Sequence, residues 1–155
     1  MVQYFEFYKP VYNPTGLTGI VGGAISSEVL HPRKDALFAS RDSSSVASLE
    51  QYRKFFIKQV YATQLTGLVV ELAYSEHADQ IYFGIPTGDV NESISSPTAS
   101  PTGVALTGTY SGNIPITGIT NLGSVIPIWI KQVIPADSGD DDFVTFQLRI
   151  IGTVL

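Results

Sequence analysis

The sequence predicts an all-β protein built as a single antiparallel β-sandwich. Three observations carry that expectation. Short runs of β-branched and aromatic residues alternate apolar with polar, as half-buried strands do. Clusters of Gly, Pro, Asn, Asp and Ser separate these runs. Two of them, Gln51 to Val60 and Ile128 to Val133, carry the same Ile-Lys-Gln-Val tetrapeptide behind an aromatic, Phe56 in one and Trp129 in the other, and read as two strands of one sandwich.

In chain order, residues 2 to 12 carry Tyr4, Phe5, Phe7, Tyr8 and Tyr12, and the run is expected to stop at Pro10 and Pro14. It reads either as the first strand of the sandwich or as an arm packed on a neighbouring subunit, since an arm ahead of a glycine-rich hinge exchanges at low cost. Gly16, Gly19, Gly22 and Gly23 follow, and so many glycines make a helix costly, leaving a bent, extended segment that lies against something else. Residues 31 to 50 read as a loop with a helical turn over Ser45 to Glu50. From there strand signals dominate. Leu68, Val70, Leu72 and Tyr74 share one face of a strand, and Ile81, Phe83 and Ile85 share one face of the next. Residues 89 to 124 shift to Ser, Thr, Gly and Pro, a long excursion with one or two short strands. Residues 125 to 134 and 142 to 151 return to strand, with Val144, Phe146, Leu148 and Ile150 facing inward in the second. Six or more such strands suggest an immunoglobulin-like or jelly-roll-like sandwich. The expected organisation is an N-terminal arm and connecting segment over 1–50 and a sandwich domain over 51–155, with long Ser/Thr/Gly/Pro-rich loops.

At 155 residues the chain is long enough for one domain to bury roughly two thirds of its unfolded surface. Charged residues make up only 15% of it, against about 25% in an average soluble protein. A surface so poor in charge is suited to meeting other protein. The net charge of -5 argues against a non-specific grip on nucleic acid, which needs clustered Lys and Arg. With no cysteine there is neither a disulfide framework nor a thiolate metal site. The N-terminus lacks the basic start and apolar core of a signal peptide, and no window approaches a membrane span, so synthesis and retention in the cytoplasm are expected, with no membrane partner.

The search for chemistry finds little. His31 and His77 are placed in turns, away from any nucleophile pattern, and neither a G-x-S-x-G elbow nor a phosphate-cradling loop occurs. Asp137, Asp140, Asp141 and Asp142 could offer oxygen ligands to a hard cation, but their spacing departs from the calcium-loop pattern, and a solvated hairpin turn explains them as well. Glu71, Glu76 and Asp79 could hold a carboxylate pair, and Tyr74, Tyr82 and Tyr110 could stack on sugars, as in a carbohydrate-binding module. Arg53, Lys54, Lys58 and Lys131 fall on the two echoing strands, where they read as the solvated side of the sheet or, for Lys54 and Lys58, as partners for acidic groups on a neighbouring subunit. No cofactor and no enzymatic activity are expected.

A GG-x-I-S segment (Gly22, Gly23, Ile25, Ser26), the pair Leu37 and Phe38, the run Tyr52-Arg53-Lys54-x-Phe56-Ile57-Lys58, then Trp129-Ile130-Lys131 and a Val133 to Ala136 step before an acidic turn together resemble a family of small virion structural proteins of tailed bacteriophages. The resemblance spans about residues 17 to 152, and its motifs are structural patterns. Gln59 stands where the family pattern has asparagine, and the serine- and proline-rich stretch 93–103 departs from it. The resemblance implies a non-enzymatic, immunoglobulin-like part of a virion, assembled in the host bacterial cytoplasm. A capsid cement or decoration protein is the first expectation. It would clamp the major capsid protein or another virion structural protein and form a homo-oligomer, with a trimer favoured. A neck, tail or baseplate component is the alternative. The interface residues expected on this reading are Tyr4, Phe5, Phe7, Tyr8, Tyr12, Lys54 and Lys58.

Overall fold

The computed structural model describes residues 3–31, 37–38, 48–75, 81–109, 112–118, 120–136 and 146–155. Among the described residues nine strands form in chain order: β1 (Phe5–Tyr12), β2 (Val21–Val29), β3 (Leu49–Gln59), β4 (Leu65–Ser75), β5 (Ile81–Gly84), β6 (Ser93–Ile94), β7 (Asn113–Pro115), β8 (Val125–Ile134) and β9 (Phe146–Val154). They make two antiparallel sheets, one of six strands in the order β5-β8-β3-β1-β2-β6 and one of three in the order β7-β4-β9. No helix occurs among the described residues. The expected sandwich is the observed one.

The echoing runs are neighbours. β3 and β8 pair over ten residues in unbroken register, from Leu49 opposite Ile134 to Lys58 opposite Val125. Alternation along both strands sends Phe55, Ile57, Ile126, Ile128 and Ile130 toward the small sheet, where, together with Ile81 and Phe83 of the adjoining β5, they meet Val70 and Leu72 of β4. Residues 51–57 of β3 are nevertheless all buried, so the opposite face is dry as well. There Tyr52 and Trp129 pack with Val21 and Ile94, and Ala99, Val104 and Leu106 of the proline-rich excursion close over them. The excursion therefore forms a third layer over the outer face of the large sheet.

The N-terminal segment departs from the arm reading. β1 lies inside the six-stranded sheet, with Phe5 to Tyr8 paired to Gln59 to Phe56 on one side and β2 paired on the other. β1 and β2 are thus strands of the sandwich itself. The strand also runs through Pro10 to Tyr12, because the β1–β2 register shifts on both sides of Pro10, and a bulge is where a strand tolerates a residue with no N–H. Glycine makes the same accommodation in β2. Gly22 has φ 101°, and a Cβ there would stand 2.6 Å from the Glu92 carbonyl oxygen and 3.0 Å from the Trp129 ring.

Two smaller expectations change. Leu49 and Glu50 open β3 in place of a helical turn, while Ser45 to Ala47 lie outside the described residues. Alternation puts Tyr74 on one face with Leu72, but the β4–β9 register shifts between them, and Tyr74 is 48% exposed while Leu72 is buried.

Candidate interaction surfaces and buried cations

The cations on the echoing strands do not form a solvated face. Lys54 is fully buried, and its ammonium donates to three backbone carbonyls: Gly23 at 3.0 Å, Val90 at 2.7 Å and Glu92 at 3.1 Å. The Phe56 and Trp129 rings lie 5.1 and 5.4 Å from the same nitrogen, within cation–π range. Burial pushes the Lys54 ammonium down to about 8, with Asp89 and Glu92 opposing the fall. All three of its protons are therefore engaged inside the chain, and it presents nothing to a neighbouring subunit. Alternation assigned Lys54 to the outer face correctly. What alternation could not show is that this face is covered.

Glu92 completes the tie. Its carboxylate accepts from the backbone N–H and hydroxyl of Thr102 at 2.6 and 2.9 Å and from the Gly103 N–H at 3.0 Å. Burial would raise its pKa, but these bonds and the charge of Lys54 outweigh burial and hold it below the ordinary carboxylate value. The Tyr52 N–H donates to the Pro97 carbonyl at 2.7 Å, a third point at which the excursion is fastened.

Arg53 is also fully buried, on the face opposite Lys54, and donates to the carbonyls of Tyr52 and Gly16 at 2.9 and 2.8 Å. Its Nε finds no partner among the described residues, and burial pushes the guanidinium down to about 10. Lys58 is half-buried, 5.4 Å from the Tyr8 ring, and Lys131 reaches Glu50 at 3.4 Å and the Tyr82 ring at 4.7 Å.

The N-terminal aromatics are mostly internal. Phe5 and Phe7 pack against the main core, Phe7 6.1 Å from Phe55, and Tyr4 meets Tyr61 edge-on at 5.2 Å. Tyr8 donates to Glu6, and that bond raises its pKa. Of the five, only Tyr12 stands largely exposed, at 47%.

The exposed apolar surface lies elsewhere. At one end of β1, the β1–β2 hairpin projects Val11, Tyr12, Leu17 and Ile20, all without a charged neighbour in sequence, because Pro10 to Ser27 contains none. At the other end, Tyr4, Phe5, Leu65, Leu68, Ile150 and Val154 line an open groove of about 320 Å³ with Gly152 beside them. Tyr61, Leu122, Val125, Ile151 and Leu155 stand exposed on strands and turns at this second end. The segments that build it, 59–68, 120–125 and 150–155, also hold no charged side chain. Of the expected interface residues, Tyr12 belongs to the first surface and Tyr4 and Phe5 to the second; sequence reasoning missed the rest of both, for which the uncharged runs were the available signal.

Among the described residues the remaining candidates do not assemble into a site. Tyr74 and Tyr82 stand on different sheets, and Glu71 is held by Arg149 at 2.9 Å. Among the described residues, no group of three or more His, Asp or Glu could hold a metal, and no helix is long and apolar enough to cross a membrane. Asp137, Asp140, Asp141, Asp142, Glu76, His77, Asp79 and Tyr110 lie outside the described residues. Comparison with protein-family models, with curated proteins and with solved structures finds no match to this chain.

Proposed function

We propose that this chain is a non-enzymatic structural protein, an immunoglobulin-like part of a tailed-bacteriophage virion that works by contact with other protein. A capsid cement or decoration protein is the form of that role we favour. The observation that carries the reading is the pair of uncharged apolar surfaces at the two ends of β1, on a chain whose charged content is only 15%. Large exposed hydrophobics at both ends of a rigid two-sheet body suit a part that bridges neighbours. A repeated contact of more than about 1,000 Å² would reinforce a shell in many small increments. The resemblance of the strand motifs to small phage virion proteins adds the particle. The three-point fastening of the excursion supports the same role, since it ties the loop layer to the sheet.

Copy number in purified particles tests the proposal. A cement protein is expected in numbers comparable to the capsid subunits, by quantitative mass spectrometry. A count limited to a ring or two would assign the chain to neck, tail or baseplate, and absence from the particle would overturn the virion reading.

A further inference from the structure

We propose that the open edge of β9 takes an added strand, supplied as a single extended segment by a partner protein. Of the four sheet edges among the described residues, three are short: β5 has four residues, β6 two and β7 three. β9 has nine and is bonded on one side only, to β4. Brevity, proline, bulges and charges are the usual guards against edge pairing. β9 carries no proline and one charge, Arg149, which is held by Glu71. Both irregularities of the β4–β9 ladder put the extra residue on β4, so β9 itself runs unbroken. Every second residue of an antiparallel edge turns its N–H and C=O away from its neighbour, and an extended backbone is what completes such a row.

The side chains fit the same occupant. Phe146, Leu148 and Ile150 pack on the core yet stay half-buried, as do Phe5 and Phe7 of β1. Phe5 lines one groove with Ile150, Gly152 and Val154, which sets β9 over β1. A strand beside β9 lies over β2, with alternate apolar side chains turned toward the groove. The Phe38 ring stands 6.4 Å from Phe146 at one end of the edge, and the open stretch is 148–154.

The large sheet decides between a lone strand and a folded neighbour. β2 and β6 carry it two strands past β1. They give one added strand a floor, and they fill the layer that a second sandwich, docked edge to edge, would need for its own large sheet. A second copy pairing through β9 is excluded in that way. Among the described residues this chain also has no spare strand to lend, because β1, β2, β3, β4 and β8 are paired on both sides and the other edges are short. The added strand therefore comes from a different protein.

The inference rests on the contact role proposed above, and its test is separate from the copy number that decides the virion assignment. Asn-Gly followed by alternating valine and threonine is appended after Leu155 of the full chain, so that the extension can fold back along β9 as a hairpin. A Ser/Gly extension of equal length is the control. In the unextended chain, alternate amides of 148–154 should exchange freely with solvent. The valine/threonine extension should slow them by about tenfold or more and raise the melting temperature, while the control changes neither. Alternate amides already protected in the unextended chain, or an extension that leaves them unprotected, would overturn the proposal. Light scattering of the unextended chain should give the 16.7 kDa of one chain. A larger mass that the extension abolishes would show that a second copy takes the edge, and would overturn the choice of partner.

Discussion

On its inner face the β3–β8 pair meets a second sheet, and on its outer face it meets a loop. The inner contact is built on Phe55, Ile57, Ile126, Ile128 and Ile130 against Val70 and Leu72 of β4, with Arg53 buried on the same face and bonded to the carbonyls of Tyr52 and Gly16. Among the described residues the outer cover pairs with the sheet through the two-residue β6, a single bridge from Gly108 to Phe83 and a bond from Tyr52 to Pro97. The Glu92 carbonyl takes the Gly23 N–H, and a carbonyl shut off from water without a donor is costly. Lys54 donates to the carbonyls of Gly23, Val90 and Glu92, and the Glu92 carboxylate supplies acceptors for the next turn of the loop. The layer made of strands thus rests mainly on hydrophobic contact, whereas the layer made of loop is tied down by a charged side chain reaching up from the sheet.

The comparison can be broken by substitution. The largest effect is expected from deleting residues 1–14, which removes a strand paired on both sides. The sandwich should fail to fold, read as loss of the strand signal in circular dichroism; a folded product would restore the arm reading. Next, Phe55→Ala on the inner face should cost about 3–5 kcal/mol in denaturant unfolding, the usual range for a large buried aromatic. Lys54→Met keeps the stem between the rings but strips the donors, and should cost about 1–3 kcal/mol, the desolvation of carbonyls left unpaired. Its loss of hydrogen-exchange protection should concentrate in 89–107. Uniform loss across both sheets would show that the loop layer is not held by Lys54.

The pH dependence sharpens the same point. Lys54 falls from an ordinary 10.5 to about 8 in the folded chain, so between these values the unfolded chain holds the proton and the folded chain releases it. Below pH 8 both states are charged and the full cost of burial is present. Stability should therefore rise from pH 8 toward 10, and Lys54→Met should flatten that rise. Above 10 the raised phenols of Tyr8 and Tyr52 act in the opposite sense. The smallest effect belongs to Glu71→Gln, which breaks a pair whose Arg149 side chain is 56% exposed and should change stability by less than about 1 kcal/mol.

Much of this fold was legible. Period-two alternation placed Leu68, Val70, Leu72, Leu148 and Ile150 on the face they occupy, and the shared tetrapeptide marked β3 and β8, which turn out to pair. Tyr74 escaped because a bulge shifts the register by one step, and a bulge leaves little trace in a hydrophobic pattern. Gln59 was noted only as a departure from a pattern. In the fold its side-chain amide donates to the carbonyls of Tyr61 and Thr63 at 3.1 and 2.6 Å, holding the turn that leads from one sheet to the other. The candidate surfaces were less legible, because conspicuous aromatics drew attention to β1 while the exposed residues lie just beyond it, in Leu17 and Ile20.

By itself the sequence determined that this chain is made of strands, roughly where they lie, and which side chains share a face, because those properties follow from residue type and a two-residue period. Only the tertiary structure decided that β1 enters the middle of a sheet and that Lys54 is internal. Both depend on what a strand meets after the chain has travelled tens of residues, from Lys54 to Val90 in one case and from Phe5 to Gln59 in the other. A period tells which way a side chain points; whether water or protein waits there is settled by segments far away in the chain.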